Sequence, residues 1–248
     1  MDDPQPNKLM TSATADGRIR NLQFYSDCLI IQVGVQLFKV PRQKFEGGSR
    51  VFRDMFSLPQ PSHLAVDGPL RSAEGTSEDH PLVLEGIDET EFCAFLRVLL
   101  VPLYGRTAKE KEKLTVDECI AALKLSTQWR FFGLREDVIH LLTVRDFPSS
   151  EPVRAITVAQ RYDIRDFLFP ALLALARREE SLQLSEVESL GMVIGVKMGQ
   201  VQETFVGCRQ EWDIYRVHSS LTVVKRADFD FARSIRGCSG RSYIFPAT

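Results

Sequence analysis

Long apolar runs are missing from this 248-residue chain. None approaches the roughly 20 residues that a bilayer-spanning helix needs, so no membrane association is expected. The opening residues, MDDPQPNKLMTSATADGR, are acidic at the start and lack an apolar stretch, which argues against a secretory signal. Asparagine is nearly absent: Asn7 and Asn21 are the only two, and neither has the following serine or threonine that glycosylation requires. Cysteine is sparse and scattered. Cys28, Cys93, Cys119, Cys208 and Cys238 each stand alone, a pattern of free thiols in a reducing compartment rather than of a disulfide framework. A cytoplasmic or nuclear location is therefore expected. Excess positive charge is also lacking, since 31 Lys and Arg against 33 Asp and Glu give a formal net charge of −2. A dedicated nucleic-acid binder would show a basic face to phosphates.

Catalytic constellations are missing as well. The four histidines, His63, His80, His140 and His218, are far apart, and none stands three or four residues from another His or Cys as a helix-borne metal site would require. There is no G-x-S-x-G elbow and no G-x-x-x-x-G-K-[ST] loop; Gly47-Gly48 has neither lysine nor serine arranged for a phosphate. Cys208 and His218 are the nearest thiol–base pair, and a small hydrolase of unrecognised type using Cys208 or a histidine is the alternative of another class. Cys28, Cys93 and Cys119 fall in strand or helix runs and suit small apolar packing roles. Trp129, Phe131 and Phe132, with Arg130 and Arg135 nearby, could form a base-stacking platform, but a helix-corner core is the commoner fate of such residues. The mixed-sign run Lys109–Lys113 reads as a solvated face. The expectation is no catalytic residue, no cofactor and no metal.

What is present is a run of capped, periodic elements. CLIIQVGVQLFKVP, residues 28–41, reads as two strands around a turn at Gly34, closed by Pro41. Ser49 can cap a helix whose inner face is Val51, Phe52, Met55 and Phe56. A polar surface loop from Gln60 to His80 precedes a short strand, Pro81–Leu84. Asp88 with Glu91 is a capping-box variant ahead of Phe92, Phe95, Leu96 and Leu99, a stripe at i, i+3, i+4, i+7. Thr115 with Glu118 repeats the signature before Val116, Ile120 and Leu123. A further helix carries Leu134, Val138, Leu141 and Leu142. Beyond a break at Pro148–Pro152, with Ser149 or Ser150 as a cap, come a helix with Val153, Ile156 and Ala159 and another opened by Pro170. The last of the series is capped by Ser185 and Glu188 and holds Val187, Leu190 and Ile194. DFDFARSIRG reads as a final short helix. Strands, helix, strand and then helices make an α+β fold followed by an all-helical extension.

Taken in order, FYSDCLIIQVGVQLFKVPRQKF, GGSRVFRDMFSLP, PLVLEGIDETEFCAFLRVLL and LTVDECIAALKLSTQWRFFGLREDVIHLL resemble the BTB/POZ domain, most of all the version common in fungal proteins. EPVRAITVAQRYDIRDFLFPALLALARREESLQLSE resembles the helical extension that often follows it. The resemblance implies a short β-sheet flanked by helices over residues 23–146, with a loop insertion at 60–80. A disordered tail would occupy 1–22, a helical extension 147–207, and a segment of unassigned packing 208–248. It also implies a buried aspartate at Asp27. Where many animal members carry a histidine followed by a basic residue, this chain reads Lys39-Val40-Pro41-Arg42.

The function implied is protein–protein interaction. Members of the family self-associate as dimers through the first strand and first helix, where Phe24, Tyr25, Leu29, Phe52, Met55 and Phe56 stand in this chain. Homodimers or hetero-oligomers are the expected assemblies, with an adaptor or scaffold role. Recruitment of targets to a cullin-3 ubiquitin ligase is the narrower alternative, with no recognised substrate domain in the chain to support it.

Overall fold

A computed structural model describes residues 11–13, 19–21, 27–58, 74–100, 114–215 and 229–238. Within them the protein is α+β, with short strands near the start and helices through the rest. It divides into two compact units, Met1–Val138 and Ile139–Thr248, ahead of the 146/147 boundary read from the sequence.

In the first unit, β1 (Thr11–Ala13) and β2 (Ile19–Asn21) pair antiparallel. They lie within the stretch expected to be a disordered tail, so the expectation does not hold for these six residues. The central sheet is built from β3 (Cys28–Val33), β4 (Gln36–Pro41) and β5 (Leu82–Val83), in the order β4-β3-β5. β3 runs antiparallel to β4 and parallel to β5. Alternation sends Leu29, Ile31 and Val33 into the core. Gly34 turns the hairpin at φ +57°, and a side chain there would strike the Glu89 carboxylate. Part of the expected surface loop is tied to this sheet: Ile30 N–H donates to the Gly75 carbonyl at 2.8 Å, and Gly75 N–H to the His80 carbonyl at 2.8 Å. Most of that loop, residues 59–73, lies outside the described residues.

Two short helices follow the hairpin, α1 (Arg42–Gly48) and α2 (Arg50–Ser57). The sequence signals only the second, because α1 has no side-chain cap and ends in two glycines. Ser49 caps α2 by accepting the Phe52 N–H at 3.2 Å. Val51, expected on the inner face, is exposed; Phe52 is buried, and Met55 and Phe56 are half-buried. α3 (Glu89–Leu100) starts where Asp88 accepts the Thr90 and Glu91 N–H groups at 2.8 and 3.1 Å. α4 (Val116–Gln128) starts at a full capping box of Thr115 and Glu118. Its buried positions are Cys119, Ala122, Leu123, Leu125 and Ser126; the expected Val116 and Ile120 are only half-buried. Lys124 Nζ meets Glu91 at 2.6 Å and Glu118 receives Arg97, so α3 and α4 are joined by charge at both ends of their contact. Glu91 thus serves this pair and not the reciprocal cap that the sequence suggests.

The core of this unit is aromatic. Phe45, Phe52, Phe92, Phe95, Trp129 and Phe131 are buried together, edge to face in most pairs, with centroids 5.0 Å apart for Phe45–Phe52 and 5.2 Å for Phe95–Trp129 and Phe95–Phe131. Ser49 pins it. Buried among these rings, its hydroxyl donates to the Trp129 carbonyl at 2.5 Å while accepting from α2, so the start of α2 is held to the end of α4.

α5 (Phe132–Val144) carries the division between the units, with Val138 on one side and Leu141 and Leu142 on the other, all buried. The second unit continues with α6 (Phe147–Ser150), α7 (Pro152–Tyr162), α8 (Arg165–Arg177), α9 (Leu184–Leu190), α10 (Met192–Tyr215) and α11 (Phe231–Cys238). The expected break at 148–152 is narrowed to Glu151, between two helices that each begin with proline in the first turn. Ser149 and Ser150 lie inside α6 and cap nothing that follows. Pro170 lies within α8 rather than at its start; the helix opens five residues earlier at Arg165, so the proline costs it the bond to the Asp166 carbonyl without ending it.

α9 starts after Gln183, whose backbone N–H is accepted by the Glu186 carboxylate at 2.9 Å, two positions ahead of the Ser185–Glu188 pair expected. Arg178 fixes that choice, because it grips both Glu186 oxygens at 2.7 and 2.6 Å. Gly191 at φ +83° then separates α9 from α10, which puts Ile194 on the later helix. Ala155, Ala159, Ala171 and Ala176 are buried along α7 and α8, which pack on each other and on neighbouring helices of this unit. Phe147 and Phe167 meet edge to face at 5.9 Å.

Candidate protein-interaction surface

The tip of the β3–β4 hairpin is held from below. Glu89, at the start of α3, accepts the Val35 N–H at 2.9 Å and the Gln36 side-chain amide at 2.7 Å. Fixed in this way, Val35 is 91% exposed and Leu37 49%. Register places Gln32 between Leu37 and Val83, and alternation sends all three to the face opposite the core. Val83 is 52% exposed. The outer face of the sheet therefore presents isolated aliphatic groups around a polar amide.

A second apolar feature lies among the helices of the same unit. Gln43, Lys44, Gly47 and Gly48 of α1, Val98 and Leu99 of α3, and Phe131, Gly133, Leu134 and Asp137 at the start of α5 line an open groove of 560 Å³. Gly48 is there for packing: a side chain would come within 2.7 Å of the Phe131 ring. Around Gly47 and Gly133 there is open space. Phe132, between two lining residues, is 61% exposed. The mixed lining, Val98, Leu99, Phe131 and Leu134 with Gln43, Lys44 and Asp137, can receive a partner's apolar side chain while the charged groups meet polar groups beside it.

Of the residues expected to form an interface, Leu29, Phe52, Met55 and Phe56 are among the described residues. Leu29 and Phe52 belong to the core, so in the single chain they offer no area to a partner. Strand alternation and a two-turn helix put them there, facing the same aromatic cluster. Met55 and Phe56 pack half-buried against that core, and the Arg42 guanidinium lies 4.4 Å above the Phe56 ring while its Nε donates to Glu46 at 2.6 Å. Phe24 and Tyr25 lie outside the described residues. Asp27, implied to be buried, is exposed; its contribution is the backbone carbonyl, which accepts the Arg42 N–H at 2.9 Å. Lys39 is exposed.

Sequence reasoning passed over Val35, Leu37 and Val83, and it assigned Phe132 to a helix-corner core with Trp129 and Phe131, whereas Phe132 is exposed. Alternation marks Leu37 and Val83 as outward once the core face of β3 is known, but nothing in the sequence says which face that is. Phe131 and Phe132 look alike until the helix starts between them. In the second unit, Leu184, Met192, Val193 and Val196 are exposed, the last three within the first five residues of α10.

Among the described residues no group of three His, Cys, Asp or Glu could hold a metal ion. Cys28, Cys93 and Cys119 are not in disulfides and are exposed, half-buried and buried in turn. His80 and His140 are exposed. His63, His218 and the Cys208 side chain lie outside the described residues, and so does the thiol–base pairing they would need. Trp129 and Phe131 are core residues and offer no stacking face. Two carboxylates titrate below their usual range, each at the start of a helix. Asp88 is lowered by the Thr90 hydroxyl and by the N–H groups of Glu91 and Thr90. Glu186 is brought to about 2, chiefly by the hydrogen bonds from Arg178, whose own value rises through the same contact. No helix among the described residues is long and apolar enough to cross a membrane. No family model matches the chain, and no curated protein is significantly similar to it.

Proposed function

We propose that the chain is a non-catalytic protein-interaction module: a BTB/POZ-type domain that self-associates, followed by a helical extension offering a second surface for an adaptor or scaffold role. The observation that carries this reading is the mixed sheet β4-β3-β5, with a hairpin, two short helices, a third strand parallel to β3 and then capped helices in the order of the resembling segments. Aliphatic and aromatic groups on the outside of the same unit supply apolar area for a protein partner. Co-expression of two differently tagged copies of the full chain tests it. Self-association predicts that each tag recovers the other copy; recovery of one tag alone counts against the proposal.

Recruitment to a cullin-3 ubiquitin ligase is a narrower form of the same reading. The observation in its favour is the open groove between α1, α3 and α5, whose lining includes the apolar side chains that a partner's helix would need. Co-purification of the full chain with cullin-3 supports this role, and a clean failure to co-purify removes it while leaving self-association standing.

A further inference from the structure

We draw no further inference here: the strongest candidate, the open groove between α1, the end of α3 and the start of α5 with exposed Phe132 beside it, belongs to the surface already described, and nothing in the structure shows what covers it.

Discussion

The two units bury apolar surface in different ways. The first fills its interior with rings: six buried aromatics meet mostly edge to face, and a single buried hydroxyl ties two helices through them. The second buries mainly aliphatic side chains, Ile156, Leu168, Leu172 and Leu175 among them, with four alanines along α7 and α8 and aromatic pairs only at Phe147–Phe167 and Phe229–Phe231 among the contacts described. Rings give large burial and directional contacts at few positions. Alanines give little burial each, but a buried one resists added volume. The first unit should therefore be most sensitive to losing volume and the second to gaining it.

Large-to-small substitution gives the biggest expected effect. Phe95→Ala removes a ring that contacts Phe45, Phe92, Trp129 and Phe131. It should cost about 3–5 kcal/mol, read as a lower urea midpoint for the transition that exposes Trp129. A loss below about 1 kcal/mol would mean that the ring cluster is loosely packed.

The reverse change belongs to the second unit. Ala171→Leu forces extra volume into the packing around α8, where Ala171 is fully buried, and should cost about 1–3 kcal/mol. Hydrogen exchange should show faster exchange in residues 152–177 and unchanged protection in α3 and α4. A neutral outcome would show that these helices have room to separate.

Ser49→Ala removes the cap of α2 and leaves the Trp129 carbonyl without its hydroxyl donor. About 1–2 kcal/mol is expected, again in the first unit. Ser49→Thr keeps the hydroxyl and should recover part of that loss if the hydrogen bonds and not the small volume matter.

The smallest effect concerns Arg178 and Glu186. The Glu186 carboxylate is held at about 2, below its ordinary 4.5, so its stabilising contribution is fully present above 4.5 and is lost as pH falls through about 2. Both side chains are partly solvated, with 26% and 21% of their surface exposed, so less than about 1 kcal/mol is at stake. Glu186→Gln should flatten the acid dependence of amide protection across residues 178–190. An unchanged dependence would mean that another group controls this segment.

Much of the first unit was legible because its elements announce themselves locally. Gly34, Ser49, Asp88 and Thr115 each mark a boundary by a backbone requirement that few residues meet, and the structure uses all four. The stripe Phe92, Phe95, Leu96, Leu99 needed only helical spacing. What stayed hidden depended on contacts distant in sequence. The helix start after Gln183 is set by Arg178 gripping Glu186, whereas the competing pair Ser185–Glu188 looks equally good in isolation. Pro170 reads as a start signal because local rules cannot see that α8 is already supported by its packing on α7. The candidate surface was least legible of all. Leu29 and Phe52 differ from Leu37 and Phe132 only in the side of an element they occupy, and that side is fixed by the whole core.

Sedimentation equilibrium of the full chain across micromolar concentrations tests the central claim, self-association, most directly. The account predicts that the fitted mass rises from 28.1 kDa toward twice that value as concentration increases. A mass that stays at 28.1 kDa into the high micromolar range would contradict it.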